Sequence, residues 1–539
     1  MIVYKDRQLL LLRLREPTRV LSVIPTSKPV EYKGIAYVAV KHGTDEVKVL
    51  RNLGIPAPSP ILHYYDWPGQ FPPFKAQREA AAFMCLENRA FNLSELGTGK
   101  TLATLWAYDY LRSIGKVHKV LVVTPLSTLE RAWGDEIFAH FPHLTAAVAY
   151  GSKEKRLKVL DTDADIYLIN HDGLKVNGLL EALKDRSDID LIVIDEIAQV
   201  GRNSGTDRWR ALHTVCNRQL PRKVWGLTGT PTPNQPTDAW AQCRLLVPER
   251  VPPYFNRFKE SVMRQINQWV WVARDNALET VHEAMQPSVR FTRDECLDLP
   301  PMLYTYKTAP LSKGQQNAYK EMLNTLCIEA KEGKITAANE AVKAQKLIQV
   351  ACGVVYGSNG VEAVLDVGPR MKVLMDTIEE SATKVIIFVP FVAVAERVAR
   401  EVSFELNKEN FTQGILEGRG FGKDVELIHG GVSKNERDRI FSAFQKNAYP
   451  KVIVAQPAAM SHGLTLTAAS TIVWFAPIAS NETFTQANGR ITRAGQKHTQ
   501  LIVMIEGTDM ESKYYRRLKN KQKVQGLLLD MVRDSRVAA

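Results

Sequence analysis

The octapeptide Ser94-Glu95-Leu96-Gly97-Thr98-Gly99-Lys100-Thr101 constrains this chain more than any other segment. Gly97 and Gly99 let backbone N–H groups turn inward and approach an anion with no Cβ in the way. Lys100 supplies a point charge for the β- and γ-phosphates of a nucleotide, and the Thr101 hydroxyl can ligate Mg²⁺. The run Ala90-Phe91-Asn92-Leu93 reads as a strand, and Leu102 onward reads as a helix. The phosphates would therefore face a helix N-terminus. Position 94 is serine where the strict pattern has glycine.

The chain has 539 residues, long enough for roughly three domains with large cores. With 45% hydrophobic and 24% charged residues it has the composition of a globular protein. No stretch approaches the roughly 18 consecutive apolar residues of a membrane span. Leu9 to Leu12 is followed by Arg13 and Arg15 and by no small-residue cleavage site, so no signal peptide is expected. The six cysteines show no CxxC spacing, which fits reduced thiols in a cytosol better than disulfides or zinc. The net charge of +12 suits a polyanionic partner such as nucleic acid.

Residues 1–70 differ from the rest. Val20 to Ile24 and Ile35 to Val40 are expected to be strands, and Asp45 to Leu53 a short helix. The proline-rich stretch Pro56 to Pro73 reads as a linker that wraps onto the next domain. From residue 74 short apolar strands alternate with longer amphipathic helices. Lys119–Thr124, Ala164–Ile169 and Leu191–Ile194 are near-continuous apolar runs, as expected of buried parallel strands. The rhythm resumes at Lys384–Phe388, Val425–Ile428, Lys451–Val454 and Thr471–Phe475, after a helical stretch around 310–350. Two α/β units in tandem are the simplest account.

Three further segments carry chemistry. Ile192-Val193-Ile194 ends in Asp195-Glu196, where the first carboxylate can hold Mg²⁺ and the second can orient an attacking water. Gly226-Leu227-Thr228-Gly229-Thr230-Pro231 follows another apolar strand and places hydroxyls where they could sense the state of a nucleotide. In Gln486-Ala487-Asn488-Gly489-Arg490-Ile491-Thr492-Arg493, the two arginines are three apart and would share one face of a helix. Two guanidiniums on one face call for an anion.

Together these segments resemble the superfamily 2 helicases, and within them the Swi/Snf-type translocases. Gln77 resembles the adenine-reading glutamine, Ser94–Thr101 motif I, and Val123-Thr124-Pro125-Leu126 motif Ia. Asp195-Glu196-Ile197-Ala198 stands at the DEAH-like box, Leu227–Pro231 at motif III, Ala455–Leu466 at motif V and Gln486–Gln496 at motif VI. Leu168–Asp172, Asp238–Gln242 and His462–Leu466 are similar to compact Swi/Snf-like helicases of bacteriophages and prophages. Ile197 and Ala198 replace the box's last two letters, and Gln456-Pro457 stands where motif V usually opens with Ser-Thr.

The resemblance implies an α/β fold of two RecA-like parallel-sheet lobes, residues 71–300 and 301–539, behind a β-rich accessory domain at 1–70. It implies ATP and Mg²⁺ as cofactors. Lys100, Asp195, Glu196, Arg490 and Arg493 would be catalytic, the two arginines reaching the nucleotide as fingers from the second lobe. Gln77, Gly97, Thr98, Gly99, Lys100, Thr101, Gly463 and Gln486 would bind nucleotide, with Thr101 and Asp195 on the metal. Thr124, Pro125, Thr230, His462, Arg516, Arg517 and Lys519 would meet the nucleic acid. The implied activity is a DNA-stimulated ATPase that moves on duplex, forked or branched DNA in phage-type replication, recombination or remodelling. The place of action would be a bacterial or phage-infected cytoplasm, away from membranes. An RNA helicase, the motor subunit of a nuclease complex and an ATP-gated DNA clamp remain open, and a separately encoded nuclease or replication protein would be a candidate partner. For residues 1–70, recognition of branched DNA by Tyr32, Lys33, Tyr37 and Lys41 and a purely bracing role are both open.

Overall fold

The computed structural model describes residues 1–126, 128–176, 178–184, 186–217, 222–233, 235–267, 271–296, 300–331, 345–357, 360–407, 423–460, 466–492 and 496–518. They form two compact units, Met1–Leu297 and Asp298–Val524.

The first unit begins with an antiparallel sheet of strands β1 (Ile2–Tyr4), β2 (Leu9–Leu12), β3 (Lys28–Tyr32) and β4 (Ile35–Lys41), in the order β1-β2-β4-β3. Alternation puts Leu10, Leu12, Val38 and Val40 on one face. They pack with Val47 and Leu50 of the helix Thr44–Asn52 and with Leu86 of the helix Lys75–Leu86. The expected strand at Val20–Ile24 is not one. Thr18–Leu21 is a single helical turn that follows Pro17, whose φ of −57° already suits a helix. Val20 and Ile24 still reach the core, because a turn and a strand can bury the same two residues.

The stretch after Pro56 does wrap onto the next layer. The Tyr65 hydroxyl donates to Asp109 Oδ2 at 2.6 Å, and the Trp106 indole N–H donates to the Pro68 carbonyl at 2.8 Å. Both partners lie on the helix Lys100–Ser113.

The main sheet of this unit contains β5 (Arg89–Asn92), β6 (Lys119–Thr124), β7 (Ala146–Ala149), β8 (Ile166–Asn170), β9 (Ile189–Asp195) and β10 (Lys223–Leu227). After a hairpin, β11 (Met263–Gln265) with β12 (Trp271–Ala273), the short β13 (Ser288–Val289) joins its edge. The order is β13-β5-β10-β9-β6-β8-β7, and every pairing is parallel. Helices on both faces bury the strands, which is why their sequences read as unbroken apolar runs.

The second unit has β14 (Met302–Thr308), a separate hairpin of β15 (Val354–Gly357) and β16 (Gly360–Val364), then β17 (Lys384–Phe388), β18 (Val425–Ile428), β19 (Val452–Ala455), β20 (Ala469–Trp474) and β21 (Gln500–Glu506). Its main sheet, β14-β21-β20-β17-β19-β18, is likewise parallel throughout. The fold is thus two RecA-like parallel-sheet units with a small β-rich layer at the N-terminus. Among the described residues no helix is long and apolar enough to cross a membrane.

Arg370 and Glu511 form an ion pair inside the second unit, their side chains 2% and 0% exposed, with an Nη2 to Oε2 distance of 2.8 Å. The Gly507 amide and the Thr508 hydroxyl also donate to Glu511. Arg370→Met is expected to destabilise this unit by about 3–5 kcal/mol, because it leaves a buried carboxylate without its cation. Urea unfolding of the full chain measures this, and Arg370→Met/Glu511→Gln should recover much of the loss.

The first unit carries an acid sensitivity. His42, His63, His140, His171, His213 and His282 are all held below the ordinary value of 6.5, with burial the main cause in each. Between the depressed and ordinary values the folded chain binds fewer protons than the unfolded chain. Stability therefore rises with pH across that window and is lost as pH falls below 6.5. The melting temperature of the full chain should drop on acidification in this range, and less steeply in His42→Gln and His171→Gln.

Candidate nucleotide-binding site

The loop after β5 has the geometry its glycines predict. Gly97 and Gly99 have φ of +89° and +76°, in the left-handed region, while Ser94 does not. Serine at position 94 therefore costs the backbone nothing, and its side chain has a use. Ser94 Oγ accepts the Phe291 amide at 3.1 Å, and the Ser94 amide donates to Asn92 Oδ1 at 3.2 Å. Gly99 caps the N-terminus of the helix Lys100–Ser113, so the first amides of that helix face the loop.

Lys100 Nζ donates to the Ser94 and Glu95 carbonyls at 2.7 and 3.0 Å. The Thr98 hydroxyl donates to the same Glu95 carbonyl at 2.8 Å. Gln77 Oε1 accepts the Phe74 amide at 2.8 Å and so caps the helix Lys75–Leu86. The Gln77 side-chain nitrogen lies where a Cβ on Gly99 would stand, 2.0 Å from it. Gln77, Asn92, Ser94, Thr98, Lys100 and Phe291 are among the residues lining a recess of about 170 Å³. Lys100 and Gln77, folded onto the loop, occupy part of that space.

Asp195 ends β9 and is 9% exposed. Its Oδ2 accepts the Thr124 hydroxyl at 3.0 Å and the Trp133 indole N–H at 2.9 Å, and its Oδ1 accepts the Glu196 amide at 3.0 Å. His171 Nε2 lies 2.9 Å from the Asp195 carbonyl oxygen. Burial lowers the pKa of His171, so the neutral ring donates this N–H. Glu196 has φ +48° and ψ +49°, a strained position for a side chain longer than Asn or Asp. Carboxylate and imidazole thus grip both sides of the strained peptide.

One strand brings these parts to a common edge. β10 lies between β5 and β9, and Leu227 is in register with both Asn92 and Asp195. Two strand spacings, roughly 10 Å, therefore separate the backbone ends that carry the loop and the acidic pair. Thr228 donates its amide to the Asn92 carbonyl at 3.1 Å. Gly229 packs so closely that a Cβ there would stand 3.2 Å from the Leu96 amide nitrogen.

Other expectations fare differently. Thr124, expected at the nucleic acid, is fully buried with its hydroxyl on Asp195 and Thr128, because it closes the end of a central strand. Thr230 is buried as well, its amide donating to Thr228 Oγ1, and the Pro125 carbonyl accepts the Thr128 hydroxyl. In the second unit the helix Asn481–Asn488 stops before Arg490, with Gly489 at its end. Arg490 lies in the following turn, 3% exposed, its carbonyl accepting the Leu466 amide at 3.0 Å. Arg490 therefore lies beyond the end of that helix, not on one of its faces. Gln486 is buried with Nε2 3.4 Å from Glu482 Oε1, and Arg516 and Arg517 are exposed on the helical residues 509–518. His462, Gly463, Arg493 and Lys519 lie outside the described residues.

The sequence reading missed Trp133, Thr128, Arg290 and Arg293. Trp133 sits on a π-helical turn, Leu129–Gly134, a form enriched at functional sites but without a residue pattern. The arginines have no spacing relation to the loop that they hold.

The chain is similar to known proteins over most of its length. A model of the SNF2-related domain matches residues 77–352, and a model of the helicase conserved C-terminal domain matches residues 369–495. Protein p41 of Acyrthosiphon pisum secondary endosymbiont phage 1 is 25% identical over 462 residues, covering 81% of this chain and 94% of that protein. The ISWI chromatin-remodeling complex ATPase CHR11 of Arabidopsis thaliana is 24% identical, covering 81% of this chain but 41% of its own length. The chain thus spans about two fifths of that relative. Among solved structures, Mycobacterium smegmatis helicase Lhr, bound to ssDNA and AMP-PNP, shares the fold with a TM-score of 0.50 at 16% identity, covering 84% of this chain and 48% of that one. With an SNF2-related model covering more than half of its residues and a helicase C-terminal model following it, the chain belongs to the SNF2-type superfamily 2 helicases.

Proposed function

We propose that the chain is a DNA-stimulated ATPase that couples ATP hydrolysis to movement on duplex or branched DNA. The observation that carries this reading is the common edge where β10 aligns the phosphate loop with Asp195-Glu196. Lys100 leaves the Ser94 and Glu95 carbonyls to meet the β- and γ-phosphates, while the loop amides and the helix N-terminus receive the remaining charge. Glu196 orients and deprotonates the attacking water, held in place by Asp195 and His171. Arg490 and Arg493 are proposed to act on the same nucleotide as it turns over.

The donors fit magnesium. Thr101 offers a hydroxyl beside Lys100, and Asp195 offers Oδ1, which accepts the Glu196 amide and keeps a second lone pair, while Oδ2 is held by Thr124 and Trp133. Magnesium bound there would neutralise phosphate charge.

DNA is supported by the net charge of +12 and by the family, and contacts made mainly to phosphates would weaken with salt. A phage-type setting is supported by the similarity to p41 of a phage, and replication, recombination or DNA remodelling there is part of the proposal. Residues 1–70 are proposed to recognise the DNA substrate. There the Tyr4, Tyr32 and Tyr37 rings meet edge to face at 6.2 and 6.4 Å, and Lys33 lies over Tyr32 at 5.5 Å.

ATPase rates with no nucleic acid, single-stranded, duplex and forked DNA and RNA test the reading. Duplex or forked DNA should stimulate turnover, Lys100→Ala should abolish it, and Glu196→Gln should lower kcat by about 100-fold or more. Stimulation by RNA alone would indicate an RNA helicase, and binding without turnover a clamp. Tyr32→Ala/Tyr37→Ala should lower the preference for forks and leave duplex-stimulated turnover intact. These point variants are better suited than deletion of residues 1–70, which would strip Leu86 of its cover.

A further inference from the structure

We propose that Arg290, assisted by Arg293, is a positioning residue for ATP binding, fixing the phosphate loop through Glu95. The inference rests on the ATPase reading above.

The loop is anchored on its N-terminal side by the segment that follows β13. Beyond the β5–β13 pairing, the Leu93 amide donates to the Val289 carbonyl at 2.8 Å and the Glu95 amide to the Phe291 carbonyl at 3.0 Å. The Phe291 amide returns a bond to Ser94 Oγ. The Glu95 side chain then locks this ladder. Its Oε1 accepts from Arg290 Nη2 at 2.9 Å, and its Oε2 accepts the Arg293 amide at 3.1 Å, with Arg293 Nε at 3.8 Å. The Arg290 side chain is 2% exposed and that of Glu95 31%.

Glu95 is thus held by its amide and its carboxylate, while its carbonyl receives Lys100 Nζ and the Thr98 hydroxyl. The residue that Arg290 pins is the residue on which Lys100 rests. Beyond it the loop runs through two left-handed glycines, which impose little rigidity of their own. Loosening Glu95 would shift the base of the loop, and with it the lysine and the amides that meet phosphate.

Charge leads to the same assignment. A carboxylate in a loop built for a polyanion repels its ligand unless a cation neutralises it. Arg290 does so from the protein side, leaving the positive charge of Lys100 for the nucleotide. A guanidinium holds a carboxylate in a fixed plane, which an ammonium cannot do.

The test uses the full chain, with ATP KM and kcat measured at saturating duplex DNA and binding of a fluorescent ATP analogue measured directly. Arg290→Met is expected to raise KM and the analogue's Kd roughly tenfold or more, with a smaller change in kcat. Arg290→Lys should recover only part of the affinity. Arg290→Met/Glu95→Gln removes the uncompensated charge, so it should regain the wild-type melting temperature while affinity stays weak. A double variant that regains both would reduce the pair to a stability role and overturn the proposal. So would an Arg290→Met chain whose KM and Kd stay within about twofold of wild type. A wild-type chain that binds no ATP would overturn the ATPase reading and this inference together, whereas normal binding by wild type and variants alike would overturn this inference alone.

Discussion

Parallel pairing is the constraint on which the rest of the structure depends. Each strand of a parallel sheet leaves at the same edge, so every loop that follows a strand gathers there. In the first unit this places Ser94–Thr101 after β5, Thr228–Pro231 after β10, Asp195-Glu196 after β9 and Thr124-Pro125 after β6 on one rim. No side chain has to reach far to meet the others. Register does the alignment, with Leu227 opposite both Asn92 and Asp195.

The chemistry on that rim depends on groups held from behind. Asp195 is oriented by Thr124 and Trp133, the Asp195–Glu196 peptide by His171, and Glu95 by Arg290. Each supporting group is buried, so its hydrogen bond competes with little water and fixes direction more firmly than it would at the surface. The loop itself is held differently. Two left-handed glycines leave it adaptable, and Lys100 rests on the loop's own carbonyls. A rigid frame thus surrounds a yielding loop, an arrangement that suits the proposed binding and release of a nucleotide.

Much of this was legible in the residues. The apolar runs marked the strands because both faces of a parallel sheet are buried, and that burial acts on every residue of the run. Gly97 and Gly99 marked the loop because left-handed backbone favours glycine. Where local pattern misled, competing geometries shared one pattern. Val20 and Ile24 alternate like a strand yet sit on a helical turn after Pro17, and Arg490 falls beyond the end of the helix it was assigned to.

By itself the sequence determined the α/β class, the two tandem units, the glycine loop and the acidic pair, because each is written in runs of near neighbours in the chain. Only the tertiary structure decided that Ser94 anchors Phe291, that Thr124 turns inward to Asp195, and that Arg290 meets Glu95. Those partners lie 197, 71 and 195 residues apart. No periodicity links such positions. They meet because chain entropy is overcome by the burial of whole sheets, and the side chains then find whichever partners the packed strands present.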